Sequence, residues 1–323
     1  MTTIGAPASA AHNLTSVFSP NRQGLRWSLD GRSLALLAGD APARSAYISD
    51  RLALLDAQSG TTRVLTGALD RAVLLSDSSA DGRSLDVMVE DDGYQYPAAV
   101  DAASGSVTRL ADHIVVQELK AQGGYVAVIR ASDSAPPEIF ALEKGVLRAL
   151  TTHNTALFAE LTLGTAEDLP FKSRDGTEVH GQLVKPPGFE AGRHYPTIVW
   201  IHGGPNGQDD HAMELSANSP PLERSLFATH GYVVLAINYR GSTGRGDNFA
   251  RSIRADWGHH EVEDLRAGVD AVIARNIADP ARLGIGDWSY GGILTDGTIA
   301  IDLPFSRRDQ RCGQRQSSRN VWS

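Results

Sequence analysis

Cysteine is almost absent from this chain: its 323 residues contain one, Cys312. No disulfide can form within the chain, which fits a reducing compartment. Long apolar runs are missing too, so no segment reads as a bilayer-spanning helix. The N-terminus, M-T-T-I-G-A-P-A-S-A-A-H, has neither a basic start nor an apolar stretch. No secretory leader is expected from it, and the cytoplasm is the default location. Basic residues are outnumbered, 30 Lys and Arg against 38 Asp and Glu, for a net charge of −8. A phosphate-binding surface needs clustered Lys and Arg, so this balance argues against a nucleic-acid partner. What remains is ordinary for a soluble globular protein, with 41% hydrophobic and 21% charged residues. The length suits about two domains of ~150 residues each.

The first ~160 residues repeat themselves. The stretch Trp27-Ser28-Leu29-Asp30-Gly31-Arg32-Ser33-Leu34-Ala35 returns as Ser78-Ser79-Ala80-Asp81-Gly82-Arg83-Ser84-Leu85-Asp86. Asp56-Ala57-Gln58-Ser59-Gly60 returns as Asp101-Ala102-Ala103-Ser104-Gly105, with a weaker third copy at Leu142-Glu143-Lys144-Gly145. Each glycine supplies the positive φ of a tight hairpin turn, and short apolar or alternating runs flank it. Hairpins recurring every 40 to 51 residues (Gly105 to Gly145, Gly31 to Gly82) are the signature of propeller blades. About three blades fit, fewer than the ~4–8 of a closed propeller, so an incomplete β-propeller is expected. A sandwich of unrelated hairpins is the plainer alternative.

From Leu169 the texture changes. Leu169 to Ser173 and Glu178 to Lys185 read as a hairpin turning at Asp175-Gly176, ended by Pro186-Pro187-Gly188. Three further runs follow, Thr197 to His202, Val233 to Asn238 and Arg282 to Gly286. The first two are rich in Val and Ile with little alternation, as parallel strands buried on both faces are. A helix is predicted from about Glu261 to Asn276, with Val262, Leu265, Val269, Val272 and Ile273 on one face. Strands alternating with helices indicate a doubly wound, mostly parallel α/β sheet.

The sharpest chemical signal is Gly286-Asp287-Trp288-Ser289-Tyr290-Gly291-Gly292, between a strand and a predicted helix, Tyr290 to Ile301. That is the setting of the nucleophile elbow of an α/β-hydrolase. The turn demands small residues two before and two after the serine. Gly291 meets this demand, whereas Asp287 stands where glycine is expected and should add strain. The second signal is His202-Gly203-Gly204-Pro205 after the strand from Thr197. In α/β-hydrolases this loop donates one backbone N–H to the oxyanion hole, and the residue after the nucleophile, here Tyr290, donates the other. Alone, either motif would be a Gly-rich turn; together, at this spacing, they are an acyl-transfer site.

The stretch Leu169 to Ile301 resembles the catalytic domain of the prolyl oligopeptidase family, which includes dipeptidyl and acylaminoacyl peptidases. The matching pieces are D-G-T-E-V-H-G-Q-L-V-K-P-P-G-F (Asp175 to Phe189), Y-P-T-I-V-W-I-H-G-G-P (Tyr195 to Pro205), N-Y-R-G-S-T-G (Asn238 to Gly244), D-W-G (Asp256 to Gly258) and W-S-Y-G-G (Trp288 to Gly292). The resemblance implies an α/β-hydrolase fold behind a β-propeller and hydrolysis of short peptides. It implies Ser289 as nucleophile and the amides of Gly204 and Tyr290 as oxyanion donors. In some relatives a tyrosine hydroxyl at the position of His202 serves instead. Asn238, Tyr239 and Arg240, at a strand's C-terminal end, are expected to be structural. No metal or organic cofactor is implied; His211 with Asp209 and Asp210 reads as a solvated loop rather than a metal site.

A base and an acid are missing. This fold places them after the serine, as Asp or Glu and then His, but the last histidines are His259 and His260. The expected division is 1–160, incomplete propeller; 161–302, the front of the peptidase domain; 303–323, an aberrant tail. That tail holds five arginines and few apolar residues. Codons compatible with Leu303 to Gln316, read one base later, spell C-R-F-R-A-V-I-S-G-A-G-S-A, an apolar strand and a small-residue loop. A frameshift near Asp302 is the expectation. With it go a bare sheet edge, poor solubility or partial folding, and a chain without hydrolytic activity of its own. The alternatives are a non-catalytic remnant or propeller-based binding protein, and an esterase of the same fold, which the H-G-G-P loop and the preceding repeats disfavour.

Overall fold

Among the described residues, twelve short strands come first. The computed structural model describes residues 25–39, 47, 49–79, 82–213, 220–287 and 289–301. The expected tail lies outside them. Strands β1 (Arg26–Trp27), β2 (Ser33–Ala38), β3 (Arg51–Asp56) and β4 (Thr62–Val64) form an antiparallel meander in chain order. The pattern repeats in β5 (Val73–Ser78), β6 (Ser84–Asp91), β7 (Tyr94–Asp101) and β8 (Val107–Arg109). It repeats again in β9 (Val115–Gln122), β10 (Tyr125–Ser132), β11 (Ala135–Glu143) and β12 (Val146–Ala149). A single parallel pairing, Gln95 with Val115, links the second and third meanders.

The repeated dipeptides fall at equivalent turns. Gly31 and Gly82 close the first hairpin of their meanders with φ near +69° and +68°, and Gly60 and Gly105 close the third with +72° and +77°. The chemistry of that third turn is duplicated as well. Asp56 accepts from the N–H of Ser59 at 2.7 Å, and Asp101 from that of Ser104 at 2.7 Å. Leu52, Leu65, Val73, Val87 and Val100 are buried between the first two meanders, and Met88, Leu119 and Val128 between the last two. No ring of sheets closes among the described residues.

After a short helix α1 (Thr155–Ala159), a five-stranded mixed sheet begins. Its strands are β13 (Thr165–Lys172), β14 (Glu178–Lys185), β15 (Tyr195–Trp200), β16 (Val233–Asn238) and β17 (Ala278–Gly286), in spatial order β13-β14-β16-β15-β17. The first hairpin is antiparallel; β16, β15 and β17 run parallel. Every residue of β16 is buried, which is why its sequence, V-V-L-A-I-N, shows no alternation. Strand β17 is longer than the expected Arg282 to Gly286. Its register against β15 jumps from Ala278 to Leu283, so the Asp279-Pro280 stretch bulges out where proline could not donate to the ladder.

Helices cover both faces. The face holding Val199, Leu235 and Ile237 packs against α4 (His260–Ala274) and α5 (Tyr290–Ala300). The opposite face, with Trp200, Val234 and Ala236, packs against Phe227 and Ala228 of α2 (Pro220–Thr229). A one-turn helix α3 (Asp247–Arg251) follows β16. Helix α4 ends two residues before the expected Asn276, because Asn276 itself takes φ +55° and the N–H of Ile277 bonds back to Val272. No helix of the described residues is long and apolar enough to cross a membrane.

Candidate active site

The C-terminal ends of β15 and β17 are neighbours in register, Trp200 opposite Gly286. Both candidate motifs leave the sheet from this point: the His202-Gly203-Gly204 loop from β15, and the turn bearing Ser289 from β17. Ser289 is exposed and stands at the N-cap of α5 with φ +60° and ψ −121°. That lies far from the ordinary left-handed basin near ψ +47°. Such backbone costs on the order of 1–3 kcal/mol and survives only where the surroundings impose it.

The surroundings do impose it. A Cβ added at Gly291 would sit 2.1 Å from the Ile201 carbonyl oxygen and 2.9 Å from Asp287 Cβ. The first turn of α5 is therefore pressed against the end of β15, with no side chain between. The expected demand for a small residue on the far flank is met by Gly291, and the close approach of Asp287 Cβ shows how the near flank carries a larger residue: the two flanks share one space. The left-handed backbone itself falls on Ser289. Gly204 has φ +131°, a conformation that only glycine adopts readily. Its N–H and that of Tyr290 are the expected oxyanion donors, and both belong to loops leaving adjacent strand ends.

Aromatic rings join these two loops. His202 stacks on Tyr239 at 4.5 Å, Tyr239 faces Tyr290 at 6.2 Å, and Trp257 meets Tyr290 edge-on at 5.1 Å. The Tyr239 hydroxyl donates to the His202 carbonyl at 2.8 Å. The His202 ring is buried and lies 2.8 Å from the Gly203 carbonyl and 2.9 Å from Ser242 Oγ. Burial lowers its pKa, keeping it neutral. It braces the loop from inside. The Tyr290 hydroxyl donates to Glu261 at 2.5 Å, and Glu261 also accepts from the N–H of Gly258 at 3.2 Å. Burial, followed by the Glu261 carboxylate, pushes the Tyr290 hydroxyl pKa up; burial raises Glu261 as well.

Asn238, Tyr239 and Arg240 do structural work. Asn238 accepts from the N–H of Asp209 at 2.7 Å and donates to its carbonyl at 3.0 Å. Arg240 donates to Asp264, which is fully buried, and pairs with Asp175. Burial opposes the Arg240 charge, but the two carboxylates outweigh it and raise its pKa.

The expectation for His211 is overturned. It is not in a solvated loop: it is 8% exposed, with Nδ1 2.6 Å from Asp133 and Nε2 2.8 Å from Asp168, and it stacks on Tyr94. Asp209 is buried beside Arg224. Glu261 and Trp257, which contact Tyr290, had no expected role from the sequence. Glu261 was legible in principle, since Glu261, Asp264, Leu265 and Gly268 share one helical face at spacings of three and four, and two acids on an apolar face need partners.

Among the described residues, no histidine lies within hydrogen-bonding distance of Ser289 Oγ. His259 and His260 converge instead on Asp256, at 3.0 and 3.6 Å. These three could hold a cation, though the two pairs with Asp256 and the stacking of the two rings at 4.7 Å already account for their closeness. A cavity of about 340 Å³ lies elsewhere, between the second meander and the sheet; Arg71, Asp91, Tyr94, His180, Gln182 and Asn238 are among its walls.

Comparison with known proteins supplies the wider setting. The profile of the prolyl oligopeptidase family matches residues 218–304. An uncharacterized peptidase of Bacillus subtilis is 33% identical over 177 residues, 54% of this chain and 26% of the relative. Dipeptidyl-peptidase 5 of Porphyromonas gingivalis is 24% identical over 272 residues, 83% of this chain and 39% of the relative. The structure of an acylaminoacyl peptidase from Pyrococcus horikoshii superposes with a TM-score of 0.72 at 22% identity, covering 84% of this chain and 42% of that one. The chain thus spans between a quarter and about two fifths of the length of these relatives.

Proposed function

We infer, given that this chain belongs to the prolyl oligopeptidase family, that it carries the front of a serine-peptidase active site acting on short peptides. The observation that carries this reading is Ser289, strained and exposed at the N-terminus of the eleven-residue helix α5. Ser289 Oγ would attack the scissile carbonyl. The oxyanion that forms would accept from the N–H groups of Gly204 and Tyr290, at the positive end of the α5 dipole. His202, Tyr239 and Glu261 hold those two loops in place. The meanders are read as blades of an incomplete β-propeller (1–160) and the sheet as the first part of an α/β-hydrolase domain (161–302). The cytoplasm is the proposed location.

The attack also needs a base to take the proton from Ser289 Oγ. No described histidine reaches Ser289, and the 323 residues hold none after it. On this reading the chain presents nucleophile and oxyanion hole without the base, and has little activity alone. The second reading is a non-catalytic remnant or binding protein.

A fluorophosphonate probe tests both. Removing the catalytic histidine of a serine peptidase costs on the order of 10⁶ in kcat, so labelling should be faint and abolished by Ser289→Ala. Labelling as fast as that of an intact family member would show that a base is present and overturn the incomplete-site reading. Labelling unaffected by Ser289→Ala would overturn Ser289 as nucleophile.

A further inference from the structure

Two histidines bridge the meanders to the five-stranded sheet, and each is clamped between two carboxylates. His211, in the loop that continues from His202-Gly203-Gly204, faces Asp133 of the β10–β11 turn at 2.6 Å and Asp168 of β13 at 2.8 Å. His180 of β14 faces Asp92 of the β6–β7 turn at 2.6 Å and Glu178 of its own strand at 2.9 Å. Carboxylates only accept hydrogen bonds. An imidazole with a carboxylate on each nitrogen must donate from both, and only the imidazolium does that. Each clamp therefore holds a cation, and each takes one carboxylate from a meander turn and one from the sheet.

The geometry points to a pH-dependent latch: His180 and His211, as imidazoliums, dock the β6–β7 and β10–β11 turns onto the sheet and thereby position the loop 202–213. The backbone shows what the latch holds. The N–H of His211 donates to the Gly93 carbonyl at 3.0 Å, and that of Met213 to Ser132 at 3.0 Å. Gln208 accepts from the N–H of Gly93 at 3.0 Å and donates to the Tyr94 carbonyl at 2.9 Å, while the N–H of Asp92 donates to Gly244 at 3.1 Å. The loop that begins at the candidate oxyanion donor Gly204 is thus tied down at its far end by the two turns that the histidines secure. His180 and His211 are positioning residues, remote from the reacting atoms. Their link to catalysis rests on the peptidase reading, but the docking does not.

Other charges near the clamps set its limits. Arg245 lies 3.6 Å from Glu178 and opposes the charge on His180. His211 packs on the Tyr94 ring, whose hydroxyl stays neutral because burial and the nearby Asp168, Asp133 and Asp92 raise its pKa. Asp92 raises His180 against the cost of burial; for His211, burial is outweighed by Asp133 and Asp168. Both shifts are upward. The docking they stabilise is complete below the ordinary histidine pKa of about 6.5 and is lost as pH rises through the raised values.

Hydrogen exchange of the full chain, read by mass spectrometry and corrected for intrinsic rates, tests the latch. Between about pH 6 and pH 9, protection of segments 90–95 and 202–213 should fall at least ~10-fold while α4 stays constant, since the change is local. In His180→Gln/His211→Gln the pH dependence should shrink to less than about two-fold, glutamine having no titratable ring. A flat wild-type profile, or a slope that persists in the double variant, overturns the proposal. Should the double variant fail to fold, nitrogen-15 histidine spectra of the wild type decide. Two imidazoles that titrate above ~6.5 are expected, and titration of either at or below ~6.5 overturns the latch. Fluorophosphonate labelling reads Ser289 separately, so failure of the peptidase reading leaves the latch result standing.

Discussion

The close contact beneath the elbow makes Gly291→Ala a stringent test of how the candidate nucleophile is held. The new Cβ would lie 2.1 Å from the Ile201 carbonyl oxygen and 2.9 Å from Asp287 Cβ. Neither obstacle is a flexible side-chain end. Ile201 is fully buried at the end of β15, and Asp287 leads directly into the turn. Relief requires the first turn of α5 to move by about an ångström. Overpacking of this kind costs typically 1–3 kcal/mol and occasionally more; a backbone obstacle places it at the upper end, about 3 kcal/mol. For a domain of this size that lowers Tm by roughly 6–12 °C. Gly297→Ala, on the same helix, is the control. Its Cβ would meet only Val262 Cγ2 at 3.7 Å, an ordinary contact, and alanine favours a helix interior by ~1 kcal/mol. Thermal unfolding by circular dichroism, or pulse proteolysis if the chain aggregates on heating, separates the two. A Gly291→Ala protein melting within about 2 °C of the parent would show that the contact is loose and that Ser289 is not held as described.

Two further outcomes follow from the Arg240 network. Arg240→Met strands the fully buried Asp264 carboxylate and should cost about 3–5 kcal/mol, whereas Arg240→Met/Asp264→Leu should recover part of this. Recovery stops short because the Arg240 N–H, which donates to Asp264 at 2.9 Å, loses its acceptor; urea titrations of the three proteins measure it. Asp175 is held down to about 2, first by the N–H of Thr177 and also by Arg240. Its depressed pKa adds stability above the ordinary carboxylate value of 3.8 that is lost as pH falls toward 2. In Asp175→Asn that part of the acid-unfolding slope should disappear; an unchanged slope between about pH 4 and 2 would refute the assignment.

Much of the architecture was legible because local rules dictated it. Asp-Gly and Ser-Gly dipeptides between short apolar runs marked hairpin turns, and the structure uses Gly31, Gly60, Gly82 and Gly105 at those turns. The unbroken apolar run of β16 announced a strand buried on both faces. The Ser289 motif announced a strand-turn-helix junction because its glycine is needed to let the helix touch the neighbouring strand. Boundaries were less legible. The bulge that extends β17 back to Ala278 depends on pairing with β15, and the end of α4 depends on Asn276 accepting a left-handed backbone.

His211 shows where linear reading stops. Beside Asp209 and Asp210 it looked like a hydrated loop, yet its partners are Asp133 and Asp168, 78 and 43 residues away. Nothing in the local composition distinguishes the two situations. The same holds for Tyr239 and Trp257, which reach Tyr290 only once β16, α4 and α5 are packed. By itself the sequence determined the order of strands and helices, the position of the strained serine and the glycines around it, because those follow from backbone geometry and hydrophobic spacing. Tertiary structure alone decided which buried charges pair and which rings brace the two loops. Such contacts are made between distant segments, and they take effect only when water has been excluded from between them.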